Sequence, residues 1–359
     1  MPKRDPTTAK GTVLPKAAVC TSSERDAGQQ AEREMIKPPL TPSLHPEIAA
    51  RIDLINGAMD EYLSTDSGEP ALLYQAAHHL IAAGGKRLRS LLILLCCEAV
   101  GGTAKDVLPI AVATELIQTA SLIRDDMMDR DEFRRGVMTV HRKFGEDIAM
   151  LAADLLVAQA VRMVGQHGRP EVLEHAGLAG VRMCEGETLD LLIEREGMFS
   201  EEQYMNTVKR KTAAFMEAAA KIGSCIGKGT QSQQDALSRY AATLGIAFQI
   251  RDDILDVTST QEATGTSVRS DLRWVRSNLP LIHALAVSPQ KKRETCQRKL
   301  SEGDVEEAMH LIEKTESIEY ASMTAKNYVE QAKAALEGQG FPNERLLRCF
   351  ADLVSEREY

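Results

Sequence analysis

The sequence predicts an all-α protein: a single-domain bundle of roughly a dozen helices around a central cavity. Three observations predict it. From about residue 45 onward, apolar residues recur at three- and four-residue spacing almost everywhere. No run of alternating β-branched residues and no short-period repeat interrupts that pattern. The breaks fall at "STDSGEP", "AAGGK", "VGGTAK", "QHGRP" and "GKGTQS", where Gly, Pro and Ser supply turns.

The helices follow in order. "HPEIAARIDLINGAMDEYL", "PALLYQAAHHLIAAG", "LRSLLILLCCEAV" and "VLPIAVATELIQTASLI" carry the periodicity in the first third. "EDIAMLAADLLVAQAVRMV", "PEVLEHAGLAGVRMCEGETLDLLIE", "SEEQYMNTVKRKTAAFMEAAAKIGSCI" and "QQDALSRYAATLGIAFQIRDDILDV" continue it. Shorter helices are expected at "LPLIHALAV", "VEEAMHLIEK", "IEYASMTAKNYVEQAKAALEG" and "ERLLRCFADLV". Residues 1–42 mix Pro, Lys, Thr, Ser and Glu without periodicity and read as a disordered tail. Residues 43–359 form the helical domain.

Composition narrows the function. The net charge of −9 leaves no basic excess to displace counterions, which argues against a nucleic-acid binder. An anionic partner would therefore need local cations. Seven cysteines without a CxxC pair read as free thiols in a reducing compartment, so a cytoplasmic location is expected. No uninterrupted apolar run reaches the ~18 residues of a membrane span, so no transmembrane segment is expected.

Two acidic clusters carry the chemistry. In "LIRDDMMDRDEFRRG", Asp125 and Asp129 stand at i and i+4 and share one helix face, with Asp126 beside the first. In "AFQIRDDILDV", Asp252 and Asp256 repeat the spacing, with Asp253 between them. Each cluster ends an apolar, core-like helix. Two carboxylate pairs facing one another would bind hard divalent cations, and Mg²⁺ keeps sites open for phosphate oxygens. One such motif alone would be a solvated helix end; two of the same form argue for a site.

Basic residues complete it. "GGKRLRS" places Lys86, Arg87 and Arg89 at a helix start, where backbone N–H groups and cations together form an anion site. "FRRG" supplies Arg134 and Arg135, and "KRKTAAF" supplies Lys211 with Thr212 as a hydroxyl donor.

This ordered set resembles the trans-isoprenyl (polyprenyl) diphosphate synthases. "GGKRLRS", "DDMMDRDEFRRG", "TVHRKFGEDIAMLAADLL", "EGETLDLL", "KTAAF", "FQIRDDILD" and "NLPLIHAL" occur in the family's order between about Pro70 and Leu285. The resemblance implies a Mg²⁺-dependent prenyltransferase, with Mn²⁺ as a substitute, that joins isopentenyl diphosphate to an allylic prenyl diphosphate. It implies a homodimer as well. Asp125, Asp129, Asp252 and Asp256 look like the metal ligands, with Asp126 and Asp253 in support. Lys211, Thr212 and Gln249 resemble residues that touch the allylic diphosphate or the forming cation, and Arg134 resembles its clamp. Lys86, Arg89, Gln118 and Arg135 resemble the isopentenyl diphosphate pocket, to which Arg87 is added, and Arg276 keeps the charge of a later family lysine. In such enzymes the wall below the first motif sets product length. Here it is built from Ala120, Ser121, Ile117 and Leu116, none aromatic, so products of C20 or longer are expected. One helical turn, about 5.4 Å, admits about one further isoprene unit.

Departures from the family pattern are Thr266 for a lysine, Asp190 for glutamine, Ala153 for glycine and Arg124 for histidine. They keep two other readings open. One is a class I terpene cyclase on the same scaffold; the other is a non-catalytic subunit of a heteromeric synthase.

Overall fold

A computed structural model describes residues 45–196, 200–258 and 278–355. The expected tail, and Thr266 and Arg276, lie outside the described residues. Helices dominate, in the order α1 (Pro46–Thr65), α2 (Ala71–Ala82), α3 (Leu88–Ala99), α4 (Ala104–Asp129), α5 (Val140–Phe144), α6 (Glu146–His167), α7 (Pro170–Glu196) and α8 (Glu201–Val208). A π-helical turn, Lys209–Ala213, leads into α9 (Ala214–Ile226) and α10 (Gln231–Thr258). The chain closes with α11 (Leu279–Val287), α12 (Gln290–Ser301), α13 (Glu306–Lys314), α14 (Ser317–Ala334) and α15 (Glu344–Ser355).

The core is apolar and mostly aliphatic. Leu91 through Cys97 of α3 are buried without a break, so this helix is surrounded on all sides. It packs between α4 and α9, while α4 lies along α6 and α10 lies along α9 and α14. Thr103 starts α4 with its N–H and its hydroxyl both donating to the Asp106 carboxylate across the first turn. At the start of α8 the Gln203 N–H donates to the Ser200 hydroxyl and the Ser200 N–H donates to the Gln203 side chain, a capping box.

Three local expectations need correction. "SEEQYMNTVKRKTAAFMEAAAKIGSCI" is not one regular helix, because the π turn divides it at the basic residues. A two-residue antiparallel ladder joins β1 (Phe133–Arg134) to β2 (Val137–Met138), where no strand was expected. Its turn residues, Arg135 and Gly136, both have positive φ (54° and 75°), as a type I′ hairpin requires. Finally, α4 and α6 are long and apolar enough by mean hydropathy (1.4 and 1.6) to cross a membrane. Neither holds an uninterrupted apolar run of that length, because polar residues are interspersed. Helix α4 spends that apolarity on the core and ends in the first acidic motif.

Candidate active site

Helices α4 and α10 each deliver an acidic motif at their C-terminal ends. Within each motif the residues divide by environment. Asp125 and Asp129 are at least partly open, whereas Asp126 is fully buried. Asp252 and Asp256 are partly or fully open, whereas Asp253 is buried. The middle aspartates therefore face the scaffold and the outer ones face the opening, as the i, i+4 spacing implies.

The hairpin after α4 folds the two arginines back. Arg134 Nη2 lies 2.6 Å from Asp126 and 3.0 Å from Asp131. Its charge reaches further: it favours ionisation of Asp125 on α4 and of Asp256 on α10. Arg135 donates to the carbonyls of Leu80 and Gly84 and lies against Gly85, where a Cβ would meet its guanidinium at 2.9 Å. Burial, and then Arg87, depress its pKa to about 10. Arg135 thus lies against the Gly84–Gly85 turn. Arg89, at the start of α3, stands over the rings of Phe215 (5.1 Å) and Phe248 (5.8 Å). Gln118, half-buried on α4, has a buried carbonyl oxygen with no hydrogen-bond partner.

Arg87 departs from its expected place. It is buried, with its guanidinium 2.9 Å from Glu115 and 3.0 Å from Asn56. Ser90 donates to the other Glu115 oxygen at 2.7 Å. An arginine satisfied this way anchors α3 to α4 and cannot also greet a phosphate. Charge alone could not separate it from Lys86 and Arg89.

The π turn positions Lys211 and Thr212. It is gripped from two sides: a Cβ on Gly186 of α7 would collide with the Lys211 backbone nitrogen, and one on Gly245 of α10 would stand 2.7 Å from Ala213 Cα. Only glycine permits those approaches. Lys211 Nζ then meets Asp190 at 2.8 Å and Glu187 at 2.9 Å, both from α7. Burial works against its ammonium, but these two carboxylates outweigh it and raise its pKa. Sequence reasoning noted Asp190 only as a departure and passed over Glu187. Their i, i+3 spacing in "EGETLD" was the available signal.

A buried polar relay links the π turn to α10. Thr212 Oγ1 donates to Gln249 Oε1 at 2.7 Å, and Gln249 Nε2 donates to Asp253 Oδ1 at 3.0 Å. Asp253 Oδ2 accepts from Tyr204 (2.6 Å) and from the Leu279 N–H (3.0 Å). Asp253 thereby accepts three hydrogen bonds, which sets it apart from the more open Asp252 and Asp256.

The residues expected to set product length also divide. Ser121 and Ile117 are half-buried on the Asp125 side of α4, whereas Ala120 and Leu116 are fully buried in the core.

The electrostatics favour a divalent cation. Burial, then Glu187, pushes Asp125 up to about 7, and burial, then Asp253 and Asp252, pushes Asp256 up to about 8. Hard oxygen donors held against their own repulsion fit such an ion. Among the described residues the acids stand apart rather than forming a closed cage.

Comparison with known proteins bears on the family and the fold. The polyprenyl synthetase family model matches residues 70–314. The short chain isoprenyl diphosphate synthase of Methanothermobacter thermautotrophicus is 41% identical over 298 residues, covering 81% of this chain and 92% of its own. The crystal structure of geranylgeranyl pyrophosphate synthetase from Pyrococcus horikoshii superposes with a TM-score of 0.80 at 37% identity, covering 87% of this chain and 99% of that one. A polyprenyl synthase from Caulobacter crescentus, crystallised with calcium and isoprenyl diphosphate, gives 0.79 at 29% identity, covering 87% and 96%. The fold and site define a class, the all-α isoprenoid synthases that act on prenyl diphosphates. Within that class the chain belongs to the polyprenyl synthetase family, and it is a prenyltransferase.

Proposed function

We propose that the enzyme joins isopentenyl diphosphate to an allylic diphosphate with Mg²⁺ at Asp125, Asp129, Asp252 and Asp256. The observation that carries this is a pair of i, i+4 acidic motifs at the C-terminal ends of two separate helices, with Arg134 paired to the first. A bound divalent ion would neutralise the diphosphate and stabilise it as a leaving group. Mn²⁺ has the same preference for oxygen ligands and should substitute.

The chain's own residues do the rest. Lys211, held by Asp190 and Glu187, presents a fixed positive charge near Asp125. On ionisation the allylic C1–O bond breaks and its electron pair leaves with the diphosphate. The isopentenyl double bond then attacks C1, and a proton passes to the released diphosphate. Lys86, Arg89, Gln118 and Arg135 would hold the isopentenyl diphosphate; Arg135 and the Gly84–Gly85 turn already form one unit. Intact residues for that second substrate favour a synthase over a cyclase. The costly acidic cluster favours catalysis over a subunit role. Arg276 would add to the allylic side.

The homodimer belongs to the same proposal. Exposed apolar side chains concentrate on α6 and α7: Met150, Leu151, Val161, Leu173, Leu178 and Val181. Such a face suits a second copy of the chain. Free Cys96 and Cys97, adjacent and unpaired, support a reducing compartment such as the cytoplasm.

The test is a product assay with Mg²⁺ and farnesyl or geranylgeranyl diphosphate, with and without isopentenyl diphosphate. Lengthening that requires isopentenyl diphosphate is expected. A hydrocarbon or alcohol released from the primer alone would point to the cyclase instead.

A further inference from the structure

We propose that Tyr204 is a positioning residue for prenyl transfer: acting through Asp253 and Gln249, it commits the Thr212 proton and leaves that hydroxyl only lone pairs to offer. The inference rests on the prenyltransferase reading of the site and deepens it. Tyr204 comes from α8, is buried, and reaches Thr212 only through the relay.

The argument is one of hydrogen-bond polarity. A backbone N–H can only donate, and the phenol must donate to an oxygen that has no proton to give. Asp253 Oδ2 takes both, from Leu279 at 3.0 Å and Tyr204 at 2.6 Å. Asp253 Oδ1 is then left to accept, so the Gln249 amide turns its NH₂ end toward it at 3.0 Å. That choice fixes the other end. Gln249 Oε1 faces Thr212 at 2.7 Å and takes the only hydroxyl proton. Whatever else meets Thr212 Oγ1 meets lone pairs.

The consequence is chemical. Lone pairs stabilise an electron-poor carbon and repel a phosphate oxygen. Of the two roles open to Thr212, this geometry selects the forming allylic cation. Without the phenol, Oδ2 keeps a single donor in a buried place, and the carboxylate turns to share the Gln249 amide. Gln249 then loses its hold on Thr212.

The experiment measures steady-state prenyl transfer by full-length Tyr204→Phe, Thr212→Val and the double variant. Tyr204→Phe should lower kcat about tenfold, with KM for both diphosphates and the Mg²⁺ half-saturation point within about twofold of wild type. In the Thr212→Val background it should add no further loss, because both changes cut one relay. Wild-type kcat in Tyr204→Phe, losses that multiply, or a change confined to KM would each overturn the proposal. If Tyr204→Phe fails to fold, Asp253→Asn keeps the phenol and replaces one acceptor with a donor. It should flip Gln249 and give a kcat loss that Thr212→Val masks; independent losses would again refute the relay. A wild-type enzyme that does not elongate sinks the parent reading and this one together. Elongation by wild type with full kcat in Tyr204→Phe sinks the relay alone.

Discussion

Asp126 and Arg134 form an ion pair at 2.6 Å in which the carboxylate is wholly buried and the guanidinium is one-third exposed (32%). Burial raises the Asp126 pKa, and Arg134 is its largest counterweight. Arg134→Ala would leave that carboxylate unpaired. Discounting for the arginine's exposure, the expected loss is about 2–3 kcal/mol of unfolding free energy. Urea denaturation of the two proteins measures it, and a difference below about 0.5 kcal/mol would show that the pair is structurally idle.

Asp125 faces the opening and its turn of α4 does not depend on it. Asp125→Ala should therefore abolish Mg²⁺-dependent turnover while leaving the helical circular dichroism and melting temperature near wild type. Chelation of divalent ions should silence the wild type in the same assay. Turnover that survives either treatment would remove the metal from Asp125.

The thiols give a pH-dependent prediction. Burial raises Cys97 to about 12, Cys296 to about 11 and Cys96 further still, well above the ordinary thiol range. At pH 8 a thiol of pKa ~12 is only about one part in 10⁴ thiolate, the reactive form. A disulfide reagent at pH 8 should modify exposed Cys184 quickly and leave these three until denaturant is added. The linkage has a definite sign. The folded chain keeps protons that the unfolded chain releases above pH 9, so these groups lower stability as pH rises from about 9 toward 12. Fast modification of mass-mapped Cys96 in native protein would contradict the burial.

The fold was legible because helical periodicity runs through most of the chain, and the acidic motifs because i, i+4 aspartates after apolar runs share a face. What stayed hidden depended on tertiary contacts. Arg87 and Arg89 look alike in "GGKRLRS", yet a carboxylate 28 positions later takes one of them. The π turn at Lys209–Ala213 owes its place to glycines on two other helices. Tyr204 reads as an ordinary helix residue until the fold brings it to Asp253, 49 positions away.

Product length separates Ser121 from Ala120. Ser121 is half-buried on the Asp125 face, so Ser121→Phe should fill space below the acids and shorten the product, with little change in melting temperature. Ala120 is fully enclosed, and a ring there must displace packed neighbours at about 1–3 kcal/mol. Chromatography of dephosphorylated products and thermal denaturation of both variants check the contrast. Equal shortening with equal stability would place both residues on the cavity wall.

Val181 and Leu173 are 56% and 49% exposed on α7, so charging them costs the isolated protomer little. If that face covers a second copy, Val181→Asp with Leu173→Asp buries two unpaired carboxylates per chain, each opposed by burial's desolvation cost of about 1–3 kcal/mol or more. Sedimentation equilibrium should then show a dimer for the wild type and a monomer for the double variant at micromolar concentration, with the helical signal unchanged. A variant that remains dimeric would move the interface off α7. A wild type that sediments as a monomer would remove the dimer altogether and leave those side chains in need of another partner.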